Sequence, residues 1–220
     1  MKIKFGCDLI ELKPTKILAV AKNYVKHINE LKLSMPSEPK IFLKPPSSLV
    51  GNNGVVIIPG ASKQVDYEVE LAAIIRERCW KVSKEEALDY VLGFTVFNDI
   101  TARDIQAREM KEGMPWDIAK GFNTFAPIGP EIITVENVDC NNLNIWLKVN
   151  GEMKQNSNTK NMIFSVEDLI SYLSNIMTLE PLDIIATGTP EGVGSIKAGD
   201  SIESGIEGIG ILKFKIEDEK

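Results

Sequence analysis

The sequence predicts a mostly β protein with a few helices, a fold of the α+β class. Short runs rich in β-branched residues recur along the chain, and glycine- or proline-rich segments separate them. Asn150-Gly151 between two such runs is typical of a type I′ hairpin turn. Strands and helices do not alternate regularly, so a βαβ architecture is not expected. The predicted strands are 17–21, 41–43, 55–58, 65–75, 91–97, 128–135, 143–149, 183–187 and 208–216.

Helical patterns are fewer than strand patterns. Predicted helices span 22–31, 84–90, 100–110 and 165–177. The last begins with Ser165 three residues before Asp168, the spacing of a capping box, and continues with apolar residues at helical intervals.

Size and composition limit the classes of protein to consider. The 220 residues suffice for one domain over 1–220, with residues 1–15 as a short N-terminal lead-in. A net charge of −6 argues against a nucleic-acid or anionic-membrane partner. No apolar run reaches the length of a membrane span, and the N-terminus does not resemble a signal peptide. Three scattered cysteines indicate reduced thiols and a cytoplasmic location.

Three acids occupy alternate positions of the predicted strand 65–75: Asp66, Glu68 and Glu70. Side chains alternate between the faces of a strand, so these three share one face. Like charges on one face repel unless a cation neutralises them, and a divalent ion with oxygen ligands would do so. A solvated edge-strand face is the alternative, and this segment by itself leaves both open.

Asp99 follows a predicted strand and precedes a predicted helix. It is a candidate N-cap of that helix and, alternatively, a third oxygen ligand. On the helix, Arg103 and Gln106 lie three residues apart and therefore on neighbouring positions of one face.

Three further segments carry candidate chemistry. His27 is the only histidine, and Glu30 follows three residues later, a helical spacing. The Glu30 carboxylate would orient the His27 imidazole so that it can act as a base for water; a surface pair is the alternative. Lys120 follows a polar segment, 109–115, that could act as a lid; on local grounds a surface lysine is the favoured interpretation. The turn 187–194 is rich in glycine, so its backbone N–H groups could bind a substrate carboxylate.

Taken in order, these segments closely resemble the fumarylacetoacetate hydrolase family over about residue 17 to the C-terminus. The segments are Asn23-Tyr24-(x)2-His27-(x)2-Glu30, Phe42-Leu-Lys-Pro45, Asp66-Tyr-Glu-Val-Glu-Leu71, Asn98-Asp-Ile-Thr-Ala-Arg-Asp-Ile-Gln106, Lys120-Gly-Phe, Pro127-Ile-Gly-Pro130, Val149-Asn-Gly151 and Thr187-Gly-Thr-Pro-Glu-Gly-Val-Gly194. Gly113-Met-Pro-Trp116 and the segments 146–151 and 162–165 look most like the short acylpyruvase and oxaloacetate decarboxylase branch.

The resemblance implies a mixed β-roll with flanking helices, usually a homodimer, and a site for Mg²⁺ or Mn²⁺. It implies these roles: Glu68, Glu70 and Asp99 as metal ligands, His27 and Glu30 as the water-activating dyad, Lys120 as a catalytic lysine, and Arg103, Gln106 and Thr189 as substrate-binding or supporting residues. Asp66 is expected to be a neighbour of the metal ligands. The chain departs from the family pattern at Ala21-Lys22, where many members have Gly-Arg, and at Asn123, where many have Asp.

The activity implied is hydrolysis of the C–C bond of 3-acylpyruvates (2,4-dioxo acids), small oxo-acid substrates, to pyruvate and a carboxylic acid. Alternatives within the family are oxaloacetate decarboxylation, oxaloacetate keto–enol tautomerisation, and isomerisation or decarboxylation of dioxo acids from aromatic catabolism. A non-enzymatic domain that binds a metal–oxoacid complex is the alternative from another class.

Overall fold

Seventeen strands and four α-helices are present in the computed structural model, which describes residues 1–30 and 34–220. The strands are β1 (Lys2–Phe5), β2 (Asp8–Glu11), β3 (Ile17–Ala21), β4 (Lys40–Lys44), β5 (Leu49–Gly51), β6 (Gly54–Ile58), β7 (Val65–Tyr67), β8 (Val69–Ile75), β9 (Val91–Asn98), β10 (Thr101–Ala102), β11 (Ala126–Ile133), β12 (Asn144–Val149), β13 (Glu152–Asn158), β14 (Ile184–Ala186), β15 (Gly194–Ile196), β16 (Ser201–Ile206) and β17 (Gly210–Asp218). The helices are α1 (Val25–Glu30), α2 (Arg103–Glu112), α3 (Asp117–Lys120) and α4 (Val166–Ile176).

The predicted fold class is confirmed, and every predicted strand run contains a strand. Asn150 and Gly151 have φ of 51° and 81°, the left-handed values of a type I′ turn, and they join β12 to β13. Helix α4 has the predicted capping box at Ser165. Residue 31 of the predicted helix 22–31 lies outside the described residues, and the predicted helix 84–90 is a 3-10 turn at Ala87–Tyr90.

Three sheets organise the strands. The largest has the order β2-β1-β11-β9-β8-β14-β3-β4, with β5 also beside β11; a second has the order β13-β12-β16-β17-β6, and a third β10-β7-β15. Residues 1–15, expected only as a lead-in, contribute the hairpin β1–β2, which pairs through β1 with β11. In the described part of the chain no helix is long and apolar enough to cross a bilayer.

Strand β8 lies at the centre of the largest sheet and is buried on both faces. Leu71 and Ala73 belong to the main hydrophobic core, while the alternating Ala72 and Ile74 belong to a second core on the other side of the sheet. Because both faces of β8 are covered, acids at its beginning are withdrawn from solvent.

The prediction of one continuous strand over 65–75 is wrong at Glu68. Glu68 belongs to no strand, and it separates β7 from β8. Strand β7 pairs with β10 and β15, whereas β8 pairs with β9 and β14. The two halves of the segment need different partners, and periodicity cannot reveal a change of sheet because the alternation of side chains continues through the break.

Asp183 ties the beginning of β14 to the segment before β3. Its buried carboxylate accepts hydrogen bonds from the backbone N–H groups of Thr15, Lys16 and Glu180 at 2.9, 3.0 and 2.8 Å, and from the Thr15 hydroxyl at 2.7 Å.

We expect Asp183→Ala to lower the free energy of unfolding by about 3 kcal/mol, because several donors lose a charged acceptor in a buried position. Urea unfolding followed by circular dichroism measures this loss. The exposed Asp139, changed to Ala in the same way, serves as the control and should shift the midpoint little. Equal midpoints for the two variants would contradict the anchoring role of Asp183.

Candidate active site

The three acids expected as metal ligands converge where β8 begins and β9 ends. Val69 pairs with Asn98 in the antiparallel register, so Glu68 lies beside Asp99, and the Asp99 N–H donates to the Glu68 carbonyl at 2.8 Å. One carboxylate oxygen from each of Glu68, Glu70 and Asp99 lies within 4.8 Å of the others, and all three residues are buried.

Asp99 is not the N-cap of the helix that follows, so that interpretation is wrong. Residues 101–102 form β10 against β7, and α2 begins only at Arg103, with Ala102 in the N-cap position. Because residues 101–102 are extended and paired with β7, they do not form a first helical turn after Asp99. The Asp99 carboxylate therefore does not cap a helix and faces Glu68 instead.

Cations surround two of the three acids. The Lys120 ammonium donates to Glu68 Oε2 at 3.0 Å and to Thr101 Oγ1 at 2.7 Å, and it also pairs with Asp99; the Arg103 guanidinium pairs with Glu68. Burial opposes charge on Glu68, but Lys120 and Arg103 outweigh it and lower the pKa of Glu68. Burial likewise lowers the pKa of Lys120, but Asp99 and Glu68 outweigh it and raise that pKa.

Glu70 differs from its two neighbours because no cation contacts it among the described residues. Its carboxylate accepts a hydrogen bond from the Gly188 N–H at 2.8 Å. Burial, together with the charges of Asp99 and Glu68, holds the pKa of Glu70 well above its usual range. A buried, oxygen-only donor set in which one carboxyl group contacts no cation of the described residues fits a hard divalent cation such as Mg²⁺ or Mn²⁺.

Asp66, the third of the alternating acids, lies outside this cluster, as expected. It accepts a hydrogen bond from Arg103 Nε at 2.7 Å and from Ser195 Oγ at 3.0 Å. Arg103 also donates to Gln106 Oε1 at 2.6 Å, so the predicted pair on α2 is brought together. Asp66 therefore orients the guanidinium that contacts Glu68.

Lys44 at the end of β4 has no role in the sequence-based prediction, yet it is completely buried beside the acids. Its ammonium donates to Asp99 Oδ1 at 2.6 Å, to the Lys120 carbonyl at 2.6 Å and to the Ile100 carbonyl at 3.1 Å. Burial lowers the pKa of Lys44, and Asp99 partly opposes the change. The signals in the sequence are its place in the family-like segment 42–45 and a strand face shared with the apolar Phe42.

His27 and Glu30 face each other on α1 without a hydrogen bond between them. The Nδ1 atom of His27 lies 3.5 Å from Glu30 Oε2 and is buried without a hydrogen-bond partner among the described residues. Glu30 accepts from the Gly192 N–H at 3.2 Å. The pair is thus in contact at the edge of the glycine-rich turn.

That turn brings Thr189 to the site, and its N–H groups contact protein carboxylates. The N–H groups of Gly188 and Gly192 donate to Glu70 and Glu30. The Thr189 hydroxyl donates to the Val69 carbonyl at 2.9 Å and accepts from Gln155 Nε2 at 2.9 Å. Gln155, a buried amide on β13, was missed because a single glutamine in a hairpin strand gives no local signal.

One cavity of about 220 Å³ joins these groups. Eight of the nine predicted site residues line it; Glu30 does not line it and contacts His27 instead. The remaining wall is largely apolar and includes Val20, Phe42 and Trp116. The arrangement can bind the oxygen atoms of a small acid at the charged end and its carbon chain along the apolar wall.

Comparison with known proteins agrees with this geometry. Residues 16–217 match the family model described as fumarylacetoacetate (FAA) hydrolase C-terminal. An uncharacterized protein of Pyrococcus abyssi is 53% identical over 216 residues, which are 98% of this chain and 96% of that protein. The mitochondrial oxaloacetate tautomerase FAHD1 of Bos taurus is 44% identical over 201 residues, 91% of each chain.

A solved structure supports the same grouping. Fumarylpyruvate hydrolase from Pseudomonas aeruginosa, in complex with Mn²⁺ and pyruvate, is 31% identical with a TM-score of 0.93, covering 100% of this chain and 96% of that one. The fold, the matched sequence and these enzymatic relatives lead to one conclusion: the chain belongs to the fumarylacetoacetate hydrolase family.

Proposed function

We propose that this protein is a metal-dependent hydrolase that cleaves the C–C bond of 3-acylpyruvates to give pyruvate and a carboxylic acid. The observation that carries the proposal is the meeting of an oxygen-only acid cluster, Lys120 and His27 in one small cavity. Similarity to a fumarylpyruvate hydrolase crystallised with Mn²⁺ and pyruvate supports it.

Glu68, Glu70 and Asp99 would hold the divalent ion. That ion would supply Lewis-acid stabilisation for the negative charge that develops on the 2-oxo oxygen. Lys120 already contacts two of the acids, so its ammonium would move little to bind a substrate oxygen. Gln106 and Arg103 line the same cavity and would orient the substrate carboxylate.

His27 would act as the general base. In the proposed step its imidazole takes a proton from water, whose oxygen bonds to the acyl carbonyl carbon of the substrate. The bond between that carbon and C3 then breaks, and its electron pair passes to the pyruvate fragment, which takes a proton at C3 and leaves as pyruvate. Glu30, 3.5 Å from Nδ1, would stabilise the imidazolium that forms.

Decarboxylation or tautomerisation of oxaloacetate is the second candidate. The observation that favours it is the 44% identity to an oxaloacetate tautomerase. Loss of CO₂ from oxaloacetate produces the same pyruvate enolate without attack by water, so this reaction uses the acid cluster and Lys120 but does not require His27 as a base for water.

The two candidates are separated by measuring turnover of acetylpyruvate, fumarylpyruvate and oxaloacetate side by side, with Mg²⁺ and with EDTA. We expect acylpyruvate cleavage that EDTA abolishes. His27→Ala should reduce this cleavage by about 10²–10⁴-fold, the usual contribution of a general base, and reduce decarboxylation far less. Hydrolysis that withstands EDTA would refute the metal mechanism, and decarboxylation without any hydrolysis would select the second candidate.

A further inference from the structure

Lys22 is a cavity-lining cation that the proposed mechanism does not use. Two other Lys or Arg side chains, Arg103 and Lys120, line the cavity among the described residues, and both pair with its acids. Lys22 is only partly buried and has no ion pair or side-chain hydrogen bond within residues 1–30 and 34–220. Its positive charge is therefore available to a ligand.

The backbone on both sides of Lys22 is held firmly. Ala21 ends β3 in register with Lys40 of β4. Asn23 is completely buried, and its side-chain amide donates to the carbonyls of Thr187 and Phe164 at 2.7 and 3.0 Å while its oxygen accepts from the Phe164 N–H at 2.8 Å.

Between these two anchors Lys22 adopts a φ of 59°, in the left-handed region. This conformation is unfavourable for a non-glycine residue, so it persists only where its surroundings impose it. The consequence is that the Cα–Cβ direction of Lys22 is set by β3 and Asn23 rather than by the preference of the lysine itself.

The position of Lys22 in the cavity suggests which part of a ligand it meets. Lys22, Phe42 and Trp116 line both this cavity and a neighbouring surface groove, so they form the wall between the two. The acid cluster lines only the cavity. A 2-oxo acid bound by its first carboxylate near the acids would extend its far end along this wall, where the other two side chains are aromatic.

The charges of the inner site support the same assignment. The three carboxylates of the cluster together with that of Asp66 make four negative charges, and they face three cations, namely Lys44, Arg103 and Lys120. A divalent ion would leave one net positive charge, which the first carboxylate of a 2-oxo acid neutralises. A second carboxylate at the far end would then lack a counter-ion in a mainly apolar wall, unless Lys22 supplies it.

We infer that Lys22 is a specificity-determining residue that binds the second carboxylate of 2-oxo dicarboxylic acids. This rests on the proposed function, because it assumes that the acid cluster holds the 2-oxo carboxylate end. It commits the enzyme to substrates with a carboxylate at both ends in preference to those that end in an alkyl group.

Calorimetric titration of the Mg²⁺-loaded protein tests the inference without turnover. The probes are 2-oxoglutarate and 2-oxopentanoate, which have the same carbon chain and differ in the terminal carboxylate. The wild type should bind the dicarboxylate more tightly, and Lys22→Gln should reduce the ratio of the two dissociation constants by about tenfold, as expected for loss of one charged hydrogen bond. Lys22→Arg should keep the ratio.

The neighbouring Lys40→Gln is the matched control, because Lys40 lines only the adjacent groove, and it should leave the ratio unchanged. An equal ratio in wild type and Lys22→Gln, or a ratio in Lys22→Arg as low as in Lys22→Gln, would overturn the inference. If Lys22→Gln folds poorly, Lys22→Asn, a residue that tolerates positive φ, replaces it. Binding selectivity without acylpyruvate turnover would refute the proposed hydrolysis and leave the role of Lys22 intact.

Discussion

Replacing Glu68 with Gln is expected to eliminate tight Mn²⁺ binding and to reduce turnover of every substrate at least about 10³-fold, since one ligand and its charge are lost together. The side chain keeps nearly the same size, so packing around it should survive. The change also removes the anionic partner that both Arg103 and Lys120 contact, so these two cations would repel a bound divalent ion.

Electron paramagnetic resonance of added Mn²⁺ measures the affinity, and steady-state kinetics with excess Mg²⁺ measures turnover. Glu109→Gln is the matched control: Glu109 is also a buried glutamate, but it pairs with Arg108 and does not line the cavity. It should bind Mn²⁺ as the wild type does. Normal turnover by Glu68→Gln that EDTA does not inhibit would rule out the proposed metal site.

Lys44→Met is expected to destabilise the protein by about 3–5 kcal/mol, the usual cost of breaking a buried ion pair from one side. Asp99 would lose a donor at 2.6 Å, and the carbonyls of Lys120 and Ile100 would lose theirs. Because the Lys44 ammonium joins Asp99, a proposed metal ligand, to the backbone of Lys120, its removal should also weaken Mn²⁺ binding by about 10–100-fold, as loss of a ligand-orienting group does.

Two measurements separate the positioning role of Lys44 from a purely structural one. Urea unfolding gives the loss of stability, and the Mn²⁺ dissociation constant, measured well below the unfolding midpoint, gives the effect on the site. Lys40→Met on the same strand is the control; Lys40 pairs with Glu38 on the surface, so its loss should cost at most about 1 kcal/mol. Unchanged Mn²⁺ affinity in folded Lys44→Met would leave Lys44 a structural residue only.

Local patterns account for the elements that were predicted correctly. The Asn150-Gly151 turn and the capping box at Ser165 depend on a few neighbouring residues, so their chemistry can be read directly from the chain. The same holds for Arg103 and Gln106, which one helical turn brings together. The alternation of Asp66, Glu68 and Glu70 indicated a charged face, although it could not show which of the three would pair with a Lys or Arg side chain.

Contacts between distant segments account for what the sequence left undecided. The register of β8 against β9 places Asp99 beside Glu68. The pairing of β10 with β7 moves the start of the next helix to Arg103, so Asp99 does not cap it. Lys44 and Gln155 became recognisable only when strands far apart in sequence enclosed them.

The α+β class, the family resemblance and the residue types of the site could be predicted from the chain, because each depends on residue spacing within short segments. Strand pairing, which spacing does not reveal, separates β7 from β8 at Glu68, directs Asp66 to Arg103, and leaves Glu70 with no cation contact among the described residues. The charge balance of a buried site depends on which cations the fold brings within a few ångströms, and that depends on strand pairing across the whole chain.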